Sequence, residues 1–159
     1  MVNPSKNKGT AGETAIVNVG KPNGFPNARR IALAGALDQG DVELCPGVIV
    51  EVKAGKVAEN ASPALIAAWL DETAWERVNA GASVGILIVK RKGVSGKRAL
   101  KWRAYVHASQ LNCLAWQAIP AGLALTPIGV SVADCFAWLR FCGWGEPLPA
   151  AFTQGEATL

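Results

Sequence analysis

The sequence predicts an α/β fold built on a mixed central sheet, and three observations carry that prediction. Residues 28–53 hold three short strand-like runs separated by turn residues, the pattern of an antiparallel meander. A helix-periodic segment over 63–80 follows them, and the run VGILIV at Val84–Val89 then reads as a strand covered on both faces. A helix crossing over between two strands brings the second strand in parallel to the first, while the meander stays antiparallel.

Each element has its own local signals. Lys6 to Thr10 reads as a basic, flexible lead-in, and Thr10-x-x-Glu13 has the spacing of a capping box that would start a short helix. Gly20, Pro22 and the turn-rich PNGFPN end it. Ala28 to Leu33 is the first expected strand, Gly35 to Gly40 a loop, and Asp41 to Leu44 the second strand. Cys45-Pro46-Gly47 then turns the chain into the third, Val48 to Lys53. Ser62-Pro63 supplies an N-cap and an N1 proline, with Leu65, Ile66, Trp69, Leu70 and Thr73 at helical spacing and Gly81 at the stop. After the turn RKGVSGKR, residues 100–106 form a further strand. The tail reads as a helical appendage of the same domain, with a core over 1–107 and the appendage over 108–159. Its helix starts at Ser131-x-x-Asp134 and places Val132, Cys135, Phe136 and Leu139 on one stripe before Gly143. Phe136, Trp138 and Trp144 are read as core or subunit contacts.

Composition narrows the chemistry. At 159 residues the chain is long enough for one self-sufficient core. A formal charge of +4 is modest, but it is unevenly placed: Lys90, Arg91, Lys92, Lys97, Arg98, Lys101 and Arg103 fall within 14 positions that hold no acidic residue. Such a run is either a solvated surface or the seat of a polyanion. With a single histidine, His107, multi-histidine metal sites are excluded, which points metal-assisted hydrolytic chemistry to carboxylates and lysine. Cys45, Cys113, Cys135 and Cys142 show no zinc spacing and read as four reduced thiols. No signal-peptide core and no long apolar run occurs, so a cytoplasmic protein with no membrane contact is expected.

Glu51 and Lys53 stand two apart on the third strand and project from the same face, roughly 6 to 7 Å apart. Val48, Val50 and Val52 take the other face. A three-residue turn at 45–47 would set Asp41 directly across from Glu51, whereas a two-residue turn would put it on the opposite face, and the sequence leaves both open. If the two carboxylates do meet, Mg²⁺ or Mn²⁺ is the natural partner, since hard ions favour oxygen ligands that they share with phosphates. Lys53 would then orient the nucleophile or offset charge developing on the phosphorus.

Asp41, nine intervening residues, then Glu51-Val52-Lys53 resembles the PD-(D/E)XK nuclease signature. Glu13, the meander, the crossover helix and VGILIVKR follow in the order of that superfamily's restriction-endonuclease-like αβββαβ core. Within it, KGTAGET, GFPNARR and GDVELCPGVIVEVKAGK are similar to the archaeal-type Holliday junction resolvases and their relatives in actinobacterial phages, over residues 6–106. The resemblance implies a site of Glu13, Asp41, Glu51 and Lys53, with Asp41, Glu51 and Glu13 on the metal. It implies a homodimer cutting opposing strands of a four-way junction, in the host-cell cytoplasm if the protein is phage-encoded. It also implies a polar residue on the crossover helix, where Leu65 and Trp69 stand and no glutamine is found.

Two further roles compete at named positions. Glu13 serves equally as a capping-box glutamate, and Asp38 as a turn residue or a substitute ligand. Arg29 and Arg30 near the site, Lys6 and Lys8 on a mobile arm, and Lys90, Arg91, Lys92, Lys97 and Arg98 are the candidate DNA contacts. The expected activity is metal-dependent resolution of branched DNA. The alternatives are a repair or restriction-type endonuclease on other branched or duplex DNA, and a junction-binding protein without catalysis.

Overall fold

The computed structural model describes residues 4–32, 38–111 and 121–149, with side chains over 9–32, 38–110 and 122–149. The fold is α/β, with a mixed six-stranded sheet in the order β1-β2-β3-β4-β5-β6. Helix α1 (Pro4–Gly20) leads into β1 (Arg29–Arg30), β2 (Val42–Cys45) and β3 (Val48–Lys53). A one-turn helix α2 (Lys56–Glu59) and the crossover helix α3 (Pro63–Asn79) bring in β4 (Val84–Val89). β5 (Arg103–His107), β6 (Pro127–Ser131) and α4 (Val132–Phe141) complete it. Only β3 and β4 pair in parallel; every other neighbouring pair is antiparallel.

The crossover helix forms where its signals lie. The Ser62 hydroxyl oxygen accepts the Leu65 N–H at 3.2 Å, Pro63 opens the first turn, and Gly81 takes φ +62° beyond the C-cap Ala80. α1 departs from expectation. It is helical from Pro4, a residue suited to a first turn, so the lead-in carrying Lys6 and Lys8 is helix rather than a mobile arm. Thr10 and Glu13 therefore sit inside the helix, where the Thr14 hydroxyl bonds the Thr10 carbonyl at 2.8 Å, and the capping role for Glu13 falls away. β1 is two residues long: Ala28, Ile31 and Ala32, expected in the same strand, are not part of it, and Leu33 lies outside the described residues.

The strand alternation sorts side chains onto two faces. Val48, Val50, Val52, Ile86, Ile88, Ala104 and Val106 join Ile16 of α1 and Val132, Cys135, Phe136 and Leu139 of α4 in the main core. Leu87 and Val89 meet Leu70 and Ala58 on the opposite face, with Ile66 and Trp69 partly buried against them. The expected stripe of α4 is thus buried, with the Ser131 hydroxyl capping it through Asp134 N–H at 3.1 Å and the Phe136 ring edge-on to Phe25 at 5.1 Å. The tail is more than a helical appendage: it contributes β6, paired along β5, and one wall of the main core. The short PIGVS run carries no strong alternation, so the sheet edge left by β5 rather than its own sequence makes it a strand.

Cys45 and Cys135 are free, whereas Cys142 is disulfide-bonded, which corrects the expectation of four reduced thiols. Spacing alone gave no sign of that bond, because it depends on where the end of α4 lies in the fold. Among the described residues, no helix is long and apolar enough to cross a membrane.

Candidate active site

The register of β2 against β3 settles where Asp41 lies. The turn between the strands is two residues, Pro46-Gly47, with Cys45 across from Val48. A bulge between Glu43 and Cys45 then slips the ladder by one, so that Glu43 faces Ile49 and Val42 faces Val50. Asp41 lies just before that ladder, where its N–H also meets Val50 O, and its carboxyl is close enough to Glu51 for the two charges to interact. Gly47 at φ +89° makes the tight turn possible.

Asp41 is anchored on both sides. Its N–H donates to Val50 O at 2.9 Å, its carbonyl accepts Ile31 N–H at 2.8 Å, and its Oδ2 accepts the Val52 N–H at 2.8 Å. A carboxyl bonded to a strand amide lies close to the plane of the sheet, at the edge of β3. Glu51, 8% exposed, lies beneath α3 with Oε1 2.7 Å from Lys53 Nζ. Lys53 also lies 3.7 Å from Glu72 Oε2, with its ammonium 5.8 Å from the centre of the Trp69 ring.

A fifth group completes this cluster, and sequence reasoning missed it. Glu76 of α3 is 7% exposed, and its Oε2 has no hydrogen-bond partner. Its carboxyl and that of Asp41 each lie within hydrogen-bonding reach of Glu51. A signal was present: Glu76 follows Trp69 by seven positions and Thr73 by three, which continues the inward stripe of the helix. A polar residue on the crossover helix does reach the site, but from a later turn than Leu65 and Trp69.

The electrostatics follow from crowding carboxyls in a dry place. Burial, then the Glu51 charge, pushes the Asp41 carboxyl up to about 7, against the pull of the Val52 amide. Burial, then Asp38, pushes Glu76 up to about 7 as well. Glu51 is raised by burial despite the opposing bond from Lys53. Burial would lower Lys53, but the bond and charge of Glu51, with Glu72 and Glu76, leave it raised, so its ammonium stays protonated.

The remaining predicted residues divide into paired and unpaired cations. Glu13 of α1 is on the main-core side of the sheet, bound by Arg30, whose Nε and Nη2 both lie 2.6 Å from Oε2. Gly12 lets α1 approach β3, since a Cβ there would stand 2.8 Å from that of Ala54. Arg29 pairs with Glu43, and Lys90 with Glu59 at 2.6 Å. Arg91, Lys92, Lys97 and Arg98 are exposed, with no ion pair among the described residues. The turn that carries them is rigidly seated: Trp102, fully buried, donates to Val94 O at 3.1 Å, and a Cβ on Gly96 would lie 3.0 Å from that of Ala15. Asp38 acts as a turn residue, its Oδ1 accepting Gly40 N–H at 3.2 Å. His107 lies apart, 3.3 Å from Asp71.

The donor set suits a hard divalent cation: carboxylate oxygens only, mutually repelling, one of them unpartnered. The carboxyls of Asp41, Glu51 and Glu76 are strung through Glu51. Among the described residues, no three acidic, His or Cys side chains converge on a common metal position. No family model, no curated protein and no solved structure matches the chain.

Proposed function

We propose that this chain is a metal-dependent, structure-selective DNA endonuclease of the junction-resolving kind, acting as a homodimer on four-way junctions. The observation that carries the reading is the crowding of half-buried Asp41 with buried Glu51 and Glu76, beside a protonated Lys53 bonded to Glu51. Three crowded carboxyls are unfavourable in a folded protein unless a ligand draws on their charge. The unpaired cations of residues 91–98 supply a separate surface for the phosphate backbone. The restriction-endonuclease-like element order α1-β1-β2-β3-α3-β4 supports the same reading. A dimer belongs to it because paired cuts on opposing strands need two sites.

In this mechanism Asp41 and Glu51 would hold Mg²⁺ or Mn²⁺, and Glu76 would add to the negative charge at Glu51. The bound ion supplies Lewis-acid polarisation of the phosphodiester and a water of lowered pKa. Lys53, protonated, is a hydrogen-bond donor rather than a base, and it stabilises negative charge developing on the phosphoryl oxygens. Trp69 and Glu72 limit where its ammonium can swing.

The test is cleavage of labelled four-way junction beside a matched linear duplex, in Mg²⁺, Mn²⁺ or EDTA. Paired nicks in the junction are expected, with Asp41→Asn and Lys53→Ala each slower by about 100-fold or more. Equal cutting of the duplex would make it a repair or restriction-type enzyme instead. A second reading, a junction-binding protein without catalysis, draws on the Arg30–Glu13 pair and the lack of a three-ligand set among the described residues. It predicts tight binding that survives Asp41→Asn and no cuts in any metal.

A further inference from the structure

Of Glu13, Asp41, Glu51 and Lys53, Glu13 is the one held apart by an arginine. Glu13 is 14% exposed at its side chain, and Arg30 grips one of its oxygens with two N–H groups. Arg30 stands across from Val42, one residue before Ile31, whose N–H holds the Asp41 carbonyl. The pair is therefore next to the backbone seat of Asp41. The Asp41 carboxyl is bonded to the Val52 amide at 2.8 Å; Gly12, the neighbour of Glu13, seats α1 against Val52 and Ala54, and the Glu13 charge acts on Asp41.

Resting on the nuclease reading, we propose that Arg30 is a positioning residue: it holds Glu13 away from the Asp41 carboxyl until a nucleic-acid phosphate takes over its guanidinium. Substrate binding then completes the cation site.

The physical argument is an exchange of partners. Arg30 is 44% exposed, so a phosphate can reach it, and its planar fork matches phosphate as well as carboxylate. Once released, Glu13 is an uncompensated charge near the Asp41 carboxyl. That state is costly alone and favourable with a divalent cation present, so phosphate and cation each promote the other's binding. The acidic cluster has an independent sign of an absent ligand in the buried, unpartnered Oε2 of Glu76. Arg29 provides an internal contrast: it is the adjacent arginine, also ion-paired, but to Glu43 rather than Glu13.

Mn²⁺ is titrated into the DNA-free protein, with free Mn²⁺ read by electron paramagnetic resonance, for the wild type, Arg30→Gln, Arg30→Lys, Arg29→Gln, Glu13→Gln and Asp41→Asn. Junction affinity is measured in Ca²⁺ and in EDTA alongside, and circular dichroism checks folding. Arg30→Gln is expected to bind Mn²⁺ about tenfold more tightly than the wild type, within the usual range of site-to-site coupling. Arg30→Lys, which keeps the charge and loses the fork, falls between them, and Arg29→Gln leaves the affinity unchanged. Ca²⁺ should tighten junction binding by the wild type more than by Arg30→Gln or Glu13→Gln.

Equal Mn²⁺ affinity in the wild type and Arg30→Gln, or equal tightening by Arg29→Gln, overturns the partner exchange. The nuclease reading survives that outcome if Asp41→Asn still abolishes Mn²⁺ binding and cleavage. Absence of Mn²⁺ binding by every form, together with absence of cleavage, removes the nuclease reading and the exchange with it.

Discussion

Replacing Glu76 by glutamine should make the metal-free protein more stable at pH 8 and leave it nearly unchanged at pH 5. The carboxyl is 7% exposed, and burial with the charges of Asp38 and Asp41 pushes it from 4.5 to about 7. Because the folded-state value lies above the unfolded one, the folded protein keeps a proton that the unfolded chain releases between those values. Stability from this group is complete below pH 4.5 and lost as pH rises through about 7. At about 1.4 kcal/mol per pKa unit the loss reaches a ceiling of about 3 kcal/mol. A chain of this length gains about 2–4 °C in Tm per kcal/mol, so Glu76→Gln should melt higher at pH 8 by up to roughly 6–12 °C. The assay is thermal and urea unfolding in EDTA from pH 5 to 8.5, wild type beside variant. The gap should open through pH 7, and Mn²⁺ should narrow it by stabilising the wild type. A gap of the same size at pH 5 and pH 8, or a variant less stable at pH 8, would refute the account of a strained, ligand-seeking carboxylate.

Other perturbations test the frame around the site. Gly12→Val drives side-chain atoms into Ala54 and Val52 and should cost about 1–3 kcal/mol, read as a lower urea midpoint, with weaker cleavage because α1 carries Glu13. Phe136→Ala removes a ring packed edge-on against Phe25 in the main core and should cost about 3–5 kcal/mol. A single unfolding transition for that variant would show that residues 127–141 and the sheet fold as one unit, while a separate early transition would show the opposite. Lys97→Ala and Arg98→Ala should each lower the slope of log binding constant against log salt by about 1, with little change in metal affinity. A slope unmoved by the double variant would move the phosphate track elsewhere.

What could be read from the sequence follows from the range of each signal. The caps of α3 and α4, their inward stripes, the extent of β3 and the buried run of β4 are all written within a few residues of themselves, and they form as read. The pairing of Glu51 with Lys53 on one face was equally local, since alternation along a strand fixes it. The start of α1 was misplaced because Thr10-x-x-Glu13 satisfies a cap pattern that a helix already under way overrides. Strand β6 went unread because its partner β5 lies some twenty residues upstream.

The sequence by itself determined the α/β class, the shared face of Glu51 and Lys53 and the run of basic residues over 90–103, because period, capping and charge runs act over short distances. Only the tertiary structure decided that a two-residue turn with a bulge in β2 still leaves the Asp41 carboxyl near Glu51. It also brought Glu76 in from α3, placed Glu13 in the grip of Arg30 and linked Cys142 through a disulfide. Those outcomes depend on residues many positions apart meeting in space, which no local pattern encodes.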